Sequence, residues 1–252
     1  MNRQLKATLR EILPRSIAQR RILGGPLRGH SLVTSWYDYP AAIMGRTERP
    51  LLDWFERNVR PNDTWLDIGA HYGYTALALC RLVGAEGRVY AFEPMIATAG
   101  CISRTKTLNG FRQLTVVPVA LGSGEDLSIQ ILPEVRGMID SSRNGLSTAQ
   151  SFLASGLDWL WPRIRGNNER IDGVKIDVQG MEIEVLKGMR ELLRQHKPKL
   201  AIELHLGVSR PVVLELLASL GYSRPGKPIE PLPGESVPQY VDDRSYEFLP
   251  DA

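Results

Sequence analysis

The stretch TWLDIGAHYGYTALAL, residues 64–79, decides the reading of the chain. Strand-forming apolar residues lead into a turn with glycines at 69 and 73, and small and apolar residues then continue at helical spacing. In an open parallel sheet, ligands sit beyond the carboxyl ends of the strands, and the first such turn carries the binding glycines. The same alternation repeats downstream. Strands are predicted at 64–69, 88–93, 114–120, 173–178 and 199–205, and helices at 73–83, 95–108, 181–195 and 210–220. This is an α/β pattern: a mostly parallel sheet with helices on both faces. RSYEFLP, residues 244–250, reads as a late antiparallel strand at or near the sheet edge.

With 252 residues, 43% hydrophobic and 23% charged, the chain can bury one large core. Its two cysteines, Cys80 and Cys101, fall in predicted helices without CxxC spacing, which argues against disulfides and a zinc site and fits a reducing cytoplasm. No apolar run has the length of a spanning helix, and no secretory signal is recognisable at the N-terminus. The net charge of +3 is uneven: residues 1–23 carry six basic residues against Glu11 alone. Leu5, Leu9, Ile12, Leu13 and Ile17 recur at helical steps, so residues 1–50 read as a basic, amphipathic helical extension before a domain at 51–252. Such a helix can dock on its own domain, pair with a second copy, or lie on an anionic membrane surface. The rest of the chain is slightly acidic, which excludes nucleic acid as the natural partner.

Residues 121–172 are too long for a simple connection and read as an insertion. LSIQIL (127–132) is predicted as a short strand and TAQSFLASGLDWLW (148–161) as helical. Trp159 and Trp161 could wall a pocket or pack the insertion onto its host.

At the first turn, the dinucleotide fingerprint would need glycines at 71 and 74, where His71 and Tyr74 stand, and no phosphate loop is present. The ligand therefore has few phosphates or none. YAFEP (90–94) ends the second strand with Glu93, twenty residues after Gly73, where a carboxylate can accept both hydroxyls of a ribose. S-adenosylmethionine satisfies these demands. Its ribose would meet Glu93, its carboxylate the backbone N–H groups of 69–73, and its ammonium Asp67, directly or through water.

IDGVKIDVQGMEIEVLKGMRELL (171–193) carries Lys175 and Asp177 on one face of a buried strand, where unpaired charges are costly; they are at its exposed end or paired. Together with DIGAHYGYT, FEP and KPKLAIELH (197–205), this segment resembles the FkbM-type methyltransferase family over roughly 45–205. The resemblance implies a Rossmann-like class I methyltransferase fold, S-adenosylmethionine as donor and usually a hydroxyl acceptor. It places the donor site on Asp67, Gly69, Ala70, His71, Gly73, Tyr74, Thr75 and Glu93. It also points to an acidic residue in a GxxE segment similar to Gly45–Glu48, to which the sequence gives no role. Gln179 stands where the family motif has glutamate, and the insertion shows little likeness to the family.

Methyl transfer needs an acceptor oxygen aimed at the methyl carbon and a base for its proton. Asp177 and His205, at the ends of the fourth and fifth strands, should face one crevice. His205 is the expected proton acceptor because an unperturbed imidazole titrates near neutrality. Asp177 would orient the acceptor or the donor's amine. Asp177, Glu182, Glu203 and His205 could converge around a cation, but the spacing requires none and no metal is assigned. Glu182 and Glu184 suit the first turn of their helix. The acceptor is a small-molecule or glycan hydroxyl; nitrogen as acceptor, or nucleoside or partner binding without turnover, are the alternatives.

Overall fold

A computed structural model describes residues 12–135, 138–139, 149–165 and 169–251. In chain order it has β1 (Ala18–Arg21), β2 (Ser31–Thr34), α1 (Pro40–Ile43), α2 (Arg49–Asn58), β3 (Thr64–Ile68), α3 (Tyr74–Val83), β4 (Arg88–Phe92), α4 (Ile96–Asn109) and β5 (Leu114–Val117). There follow β6 (Ala120–Leu121), β7 (Ser128–Val135), β8 (Met138–Ile139), β9 (Ala149–Ser155) and α5 (Leu157–Arg165). The last third contains β10 (Gly173–Ile176), α6 (Glu182–Lys187), α7 (Arg190–His196), β11 (Lys199–Leu204), α8 (Arg210–Ser219), β12 (Lys227–Pro228) and β13 (Arg244–Phe248).

The main sheet has the order β12-β13-β11-β10-β3-β4-β5. Its five strands from β11 to β5 are parallel, and β13 runs antiparallel to β11. The predicted late strand is therefore present, one place in from the edge. The chain runs from β3 out to β5, then returns to β10 on the other side of β3, so β3 and β10 flank the topological switch point where a crevice opens.

Side chains alternate across the strands into two cores. Leu66, Ile68, Val174 and Ile176 pack with residues of α5 to α8, while Trp65 and Val89 pack with α2, α3 and the N-terminal segment. On the second face Trp54, Phe55 and Trp65 meet edge-on at 5.7–5.8 Å. Among the described residues no helix is long and apolar enough to cross a membrane.

Three expectations are corrected. The amphipathic N-terminal helix does not extend to residue 23: Ala18–Arg21 is β1, paired antiparallel with β2, and residues 1–11 lie outside the described part. Ile22, Leu27 and Leu32 join the core, and β2 is tied to α4 by Val33 N–H donating to Thr105 Oγ1 at 2.9 Å. Residues 149–155 of the insertion are strand β9, not helix, because Phe152 and Ala154 alternate inward opposite Gln130 and Ser128 of β7; the helix starts only after Gly156. The single helix expected over 181–195 is two. Gly188 presses on the Gly122 carbonyl, where a Cβ would come within 1.7 Å, and Asp158 of the insertion accepts the N–H groups of Glu191 and Leu192 at 3.0 Å, capping α7 from outside.

The tryptophans serve packing. Trp161 is fully buried, edge-on to Tyr90 at 4.9 Å, and Trp159 stacks under Arg163 at 3.8 Å. Neither lines the crevice.

Candidate functional site

Above the switch point lies a cleft of about 740 Å³. Gly69, Ala70, His71, Thr75 and Glu93 line it on one side, and Asp177, Gln179 and Glu203 on another. Asp38, Tyr39 and Glu48 of the N-terminal segment form part of its wall, and the β7–β9 layer contributes Ser128, Gln130 and Phe152.

Glu93 follows β4 and is 4% exposed. Its Oε2 accepts the His71 N–H at 2.8 Å and its Oε1 the Met95 N–H at 3.0 Å. Burial pushes its pKa up to about 7, against the lowering effect of those two N–H groups. Each carboxylate oxygen keeps a second lone pair, so the group can still accept a diol from the cleft.

The turn itself differs from its sequence reading. Gly69 is left-handed at φ 78°, and a Cβ there would lie 1.8 Å from the Asp177 carbonyl oxygen. Its missing side chain lets the loops after β3 and β10 touch. Gly73, at φ 84°, faces Ile102 of α4 rather than the cleft, and Tyr74 is buried in the second core. The N–H groups of Gly69 and Ala70 both donate to the Phe92 carbonyl, that of His71 to Glu93, and that of Gly73 to the Ala70 carbonyl. These four donors are thus engaged within the protein, which leaves only the Tyr72 N–H of the expected cradle.

Asp67 is likewise structural. It is fully buried and does not line the cleft; it accepts from the Thr75 hydroxyl at 2.7 Å and lies 3.2 Å from Lys175 Nζ. Direct contact with a ligand ammonium is therefore ruled out by geometry. Lys175 is paired, as one of the two sequence readings required. Its Nζ donates to the Gly69 carbonyl at 2.7 Å and lies 3.4 Å from Asp177. Burial lowers its pKa, but Asp67 and Asp177 more than reverse this and hold it raised and charged.

His71 lines the cleft between Tyr39 and Tyr72, with ring centroids at 5.2 and 4.5 Å. Burial lowers its pKa to about 4, so the ring is neutral, and its Nε2 is buried without a hydrogen-bond partner.

Asp177 and His205 do come together, but His205 stands behind the cleft wall. Its Nδ1 lies 2.6 Å from Glu182 Oε1, its Nε2 2.9 Å from the Gln179 amide nitrogen and 3.5 Å from both Asp177 and Glu203. Burial favours the neutral ring, yet the Glu182 hydrogen bond and the neighbouring carboxylates raise its pKa. The expected free, proton-accepting imidazole at the cleft is not what the fold provides. Polar atoms of Asp177, Glu203 and His205 lie within 4.8 Å of one another, so three of the four groups expected to converge do so, while Glu182 holds the opposite ring nitrogen of His205.

Glu203 was the group underread. It sits two residues before His205 on β11 and lines the cleft, and burial, then Asp177, pushes its pKa up to about 7, with His205 pulling the other way. The available signal was its same-face spacing from His205 in a strand that should otherwise be apolar. Glu48, whose role could not be derived from the sequence, also lines the cleft, its pKa raised by burial and by Asp177.

The profile of the methyltransferase FkbM domain matches residues 67–224. Hexuronic acid methyltransferase AglP of Haloferax volcanii is 28% identical over 177 residues, 69% of this chain and 69% of that protein. Among solved structures, methyltransferase FkbM from Methylobacillus flagellatus aligns with 83% of this chain over 53% of its own length, at 18% identity and a TM-score of 0.49. A SAM-dependent O-methyltransferase from Thermotoga maritima aligns with 88% of this chain and 73% of its own, at 16% identity and a TM-score of 0.48.

Proposed function

This chain belongs to the FkbM methyltransferase family, and we propose that it methylates a hydroxyl oxygen of a small molecule or glycan, with Glu203 as proton acceptor and Asp177 orienting the acceptor. It is an S-adenosylmethionine-dependent methyltransferase. The cleft suits the donor: Glu93 offers a diol acceptor, and the adjoining Phe92, Pro94, Val119 and Leu121 make an apolar slot for a base. The relative named for hexuronic acid supports a sugar-like acceptor.

When bound, the donor supplies a methyl group that is displaced in line from its sulfonium. The chain must therefore aim the acceptor oxygen and take its proton, and aiming contributes most, up to roughly 7–11 kcal/mol. The observation that carries the hydroxyl reading is the charge of the wall opposite Glu93. Glu48, Asp177 and Glu203 face the cleft there, while Lys175 is already shared between Asp67 and Asp177 and His205 is held by Glu182. An acceptor carboxylate would be repelled, whereas a hydroxyl finds a base. Glu203, pushed up to about 7 by burial, lines the cleft and fits that task better than His205, which stands behind the wall with its Nδ1 held by Glu182.

Isotope-labelled donor incubated with matched neutral and uronic sugars should place the label as an alkali-stable ether on the neutral acceptor. Label recovered in an alkali-labile ester or on nitrogen would defeat the hydroxyl reading. Peripheral membrane contact or self-association through the N-terminal segment belongs to the same proposal, supported by exposed Ile12, Ile17 and Leu23 beside basic Arg15 and Arg21. Vesicle flotation and sedimentation of the full chain against an Ile12→Ser/Ile17→Ser variant should show weaker association in the variant; identical behaviour would remove it.

A further inference from the structure

Resting on the hydroxyl-methylation reading above, we infer that the inner face of the β7–β9 sheet is the acceptor site: Phe152 carries the C–H face of a pyranose-like ring, and Gln130 and Ser128 bind its hydroxyls. The ligand class is a ring with one apolar face and flanking hydroxyls. These three residues are distinct from Glu93, which serves the donor, and from Glu203, which takes the proton.

The two faces of this sheet are inverted relative to a surface hairpin. Successive side chains of β7 alternate, with Ser128 and Gln130 on the cleft and Ile129 and Ile131 turned outward, 72% and 62% exposed. Register carries the pattern into β9. Gln130 stands opposite Phe152 and Ser128 opposite Ala154, all lining the cleft, while Ile129 stands opposite Leu153, which is also exposed. A hairpin folded only to seal a core would bury Ile129, Ile131 and Leu153 and show Ser128 and Gln130 to water, and a one-residue slip would exchange the faces. This hairpin forgoes that apolar burial and gives the cleft a polar row beside one aromatic ring.

Aromatic surface with a few placed polar groups is the composition of a small-molecule site. Phe152 supplies apolar ring surface to C–H groups, and the Gln130 amide can both donate and accept. Gln130 Nε2 donates to Ser128 Oγ at 3.3 Å and Ser128 Oγ to the Ala154 carbonyl at 3.4 Å, so the row is ordered from within. Its root is fixed as well. Gly156 N–H donates to the Gly124 carbonyl at 2.7 Å, where a Cβ on Gly156 would come within 2.3 Å of the oxygen, and Ser123 Oγ donates to Glu184 of α6 at 2.7 Å. The sheet is thus fastened to the helix that follows the Asp177 loop, and a binding face needs such support.

Sheet order places the polar row beyond the donor. β6 follows directly on β5, and Val119 and Leu121, just before it and within it, belong to the apolar slot for the donor's base. β9 is the next strand and β7 the one after, so at about 4.8 Å per step the row of Ser128 and Gln130 lies roughly 10 Å from β6. A donor seated on Glu93 and in that slot leaves the row to a second ligand. Asp177 lines the same cleft, so a ring held there shares its space with the group that orients the acceptor oxygen.

The test uses the full chain saturated with S-adenosylhomocysteine and a panel of methyl hexopyranosides of gluco, galacto and manno configuration, followed by saturation-transfer NMR. Wild type should bind at least one of them, with transfer concentrated on the C–H protons of one ring face. Gln130→Ala and Phe152→Leu should each weaken that pyranoside about 3- to 10-fold and leave S-adenosylhomocysteine, measured by calorimetry, within about twofold. Gln130 is exposed, so its variant decides the matter even if Phe152→Leu does not fold. Equal weakening of both ligands by Gln130→Ala, or a pyranoside that binds both variants as it binds wild type, would overturn the assignment. Binding of S-adenosylhomocysteine with no pyranoside bound would overturn this site alone. Label on nitrogen or in an ester, in the incubation described above, would instead remove the hydroxyl reading on which it rests.

Discussion

Replacing Glu203 with glutamine should lower kcat by about 10²- to 10⁴-fold while leaving donor affinity unchanged within about twofold. The substitution keeps the shape of the side chain and its place beside Ser245, Asp177 and His205, and removes only the capacity to take a proton. The pH profile should change with it. Glu203 is pushed up to about 7 by burial and by Asp177, so below that value the carboxyl is protonated and cannot act as base. Wild-type kcat/KM should therefore rise about tenfold per pH unit up to about 7 and level off above, and that limb should vanish in Glu203→Gln. An unchanged rate in the variant would return the role to His205, and His205→Asn would then be the variant that loses turnover.

Lys175→Met should destabilise the fold by about 3–5 kcal/mol, because it strands Asp67 as an uncompensated, fully buried charge. For a chain of this size each kcal/mol corresponds to roughly 2–4 °C, so the thermal midpoint should fall by about 6–20 °C. The lost hydrogen bond from Nζ to the Gly69 carbonyl also frees the turn that shapes the cleft. The double variant Asp67→Asn/Lys175→Met should recover much of the loss, since neutral replacement of both partners removes the stranded charge. A single variant within about 1 kcal/mol of wild type would mean that water reaches Asp67 and the triad is not closed.

The parallel sheet was legible because each strand was bounded by turn residues and followed by a helical period. Where the sequence misled, two physical patterns overlapped or a contact lay far along the chain. Residues 148–161 contain small and apolar residues that suit a helix, yet Phe152 and Ala154 also alternate, and pairing with β7 decides for the strand. Gly69 and Gly73 announce that no Cβ is tolerated, but not what approaches: it is the Asp177 carbonyl and Ile102, not a ligand. Spacing put His205 and Asp177 on one rim, but it could not show that Glu182, 23 residues earlier, reaches the imidazole from α6. Glu48 was hardest to read, since its place on the cleft wall depends on Gly24 and Gly45 holding two distant loops back to back.

The central claim is that Glu93 holds the donor's ribose in the cleft beside the β3–α3 turn. The most direct measurement is calorimetric titration of S-adenosylmethionine and NAD into the wild-type chain and into Glu93→Ala. Wild type should bind S-adenosylmethionine and not NAD, and Glu93→Ala should weaken binding at least about 10- to 100-fold through loss of hydrogen bonds to a charged acceptor. Preference for NAD, or an affinity for S-adenosylmethionine that Glu93→Ala leaves intact, would contradict it.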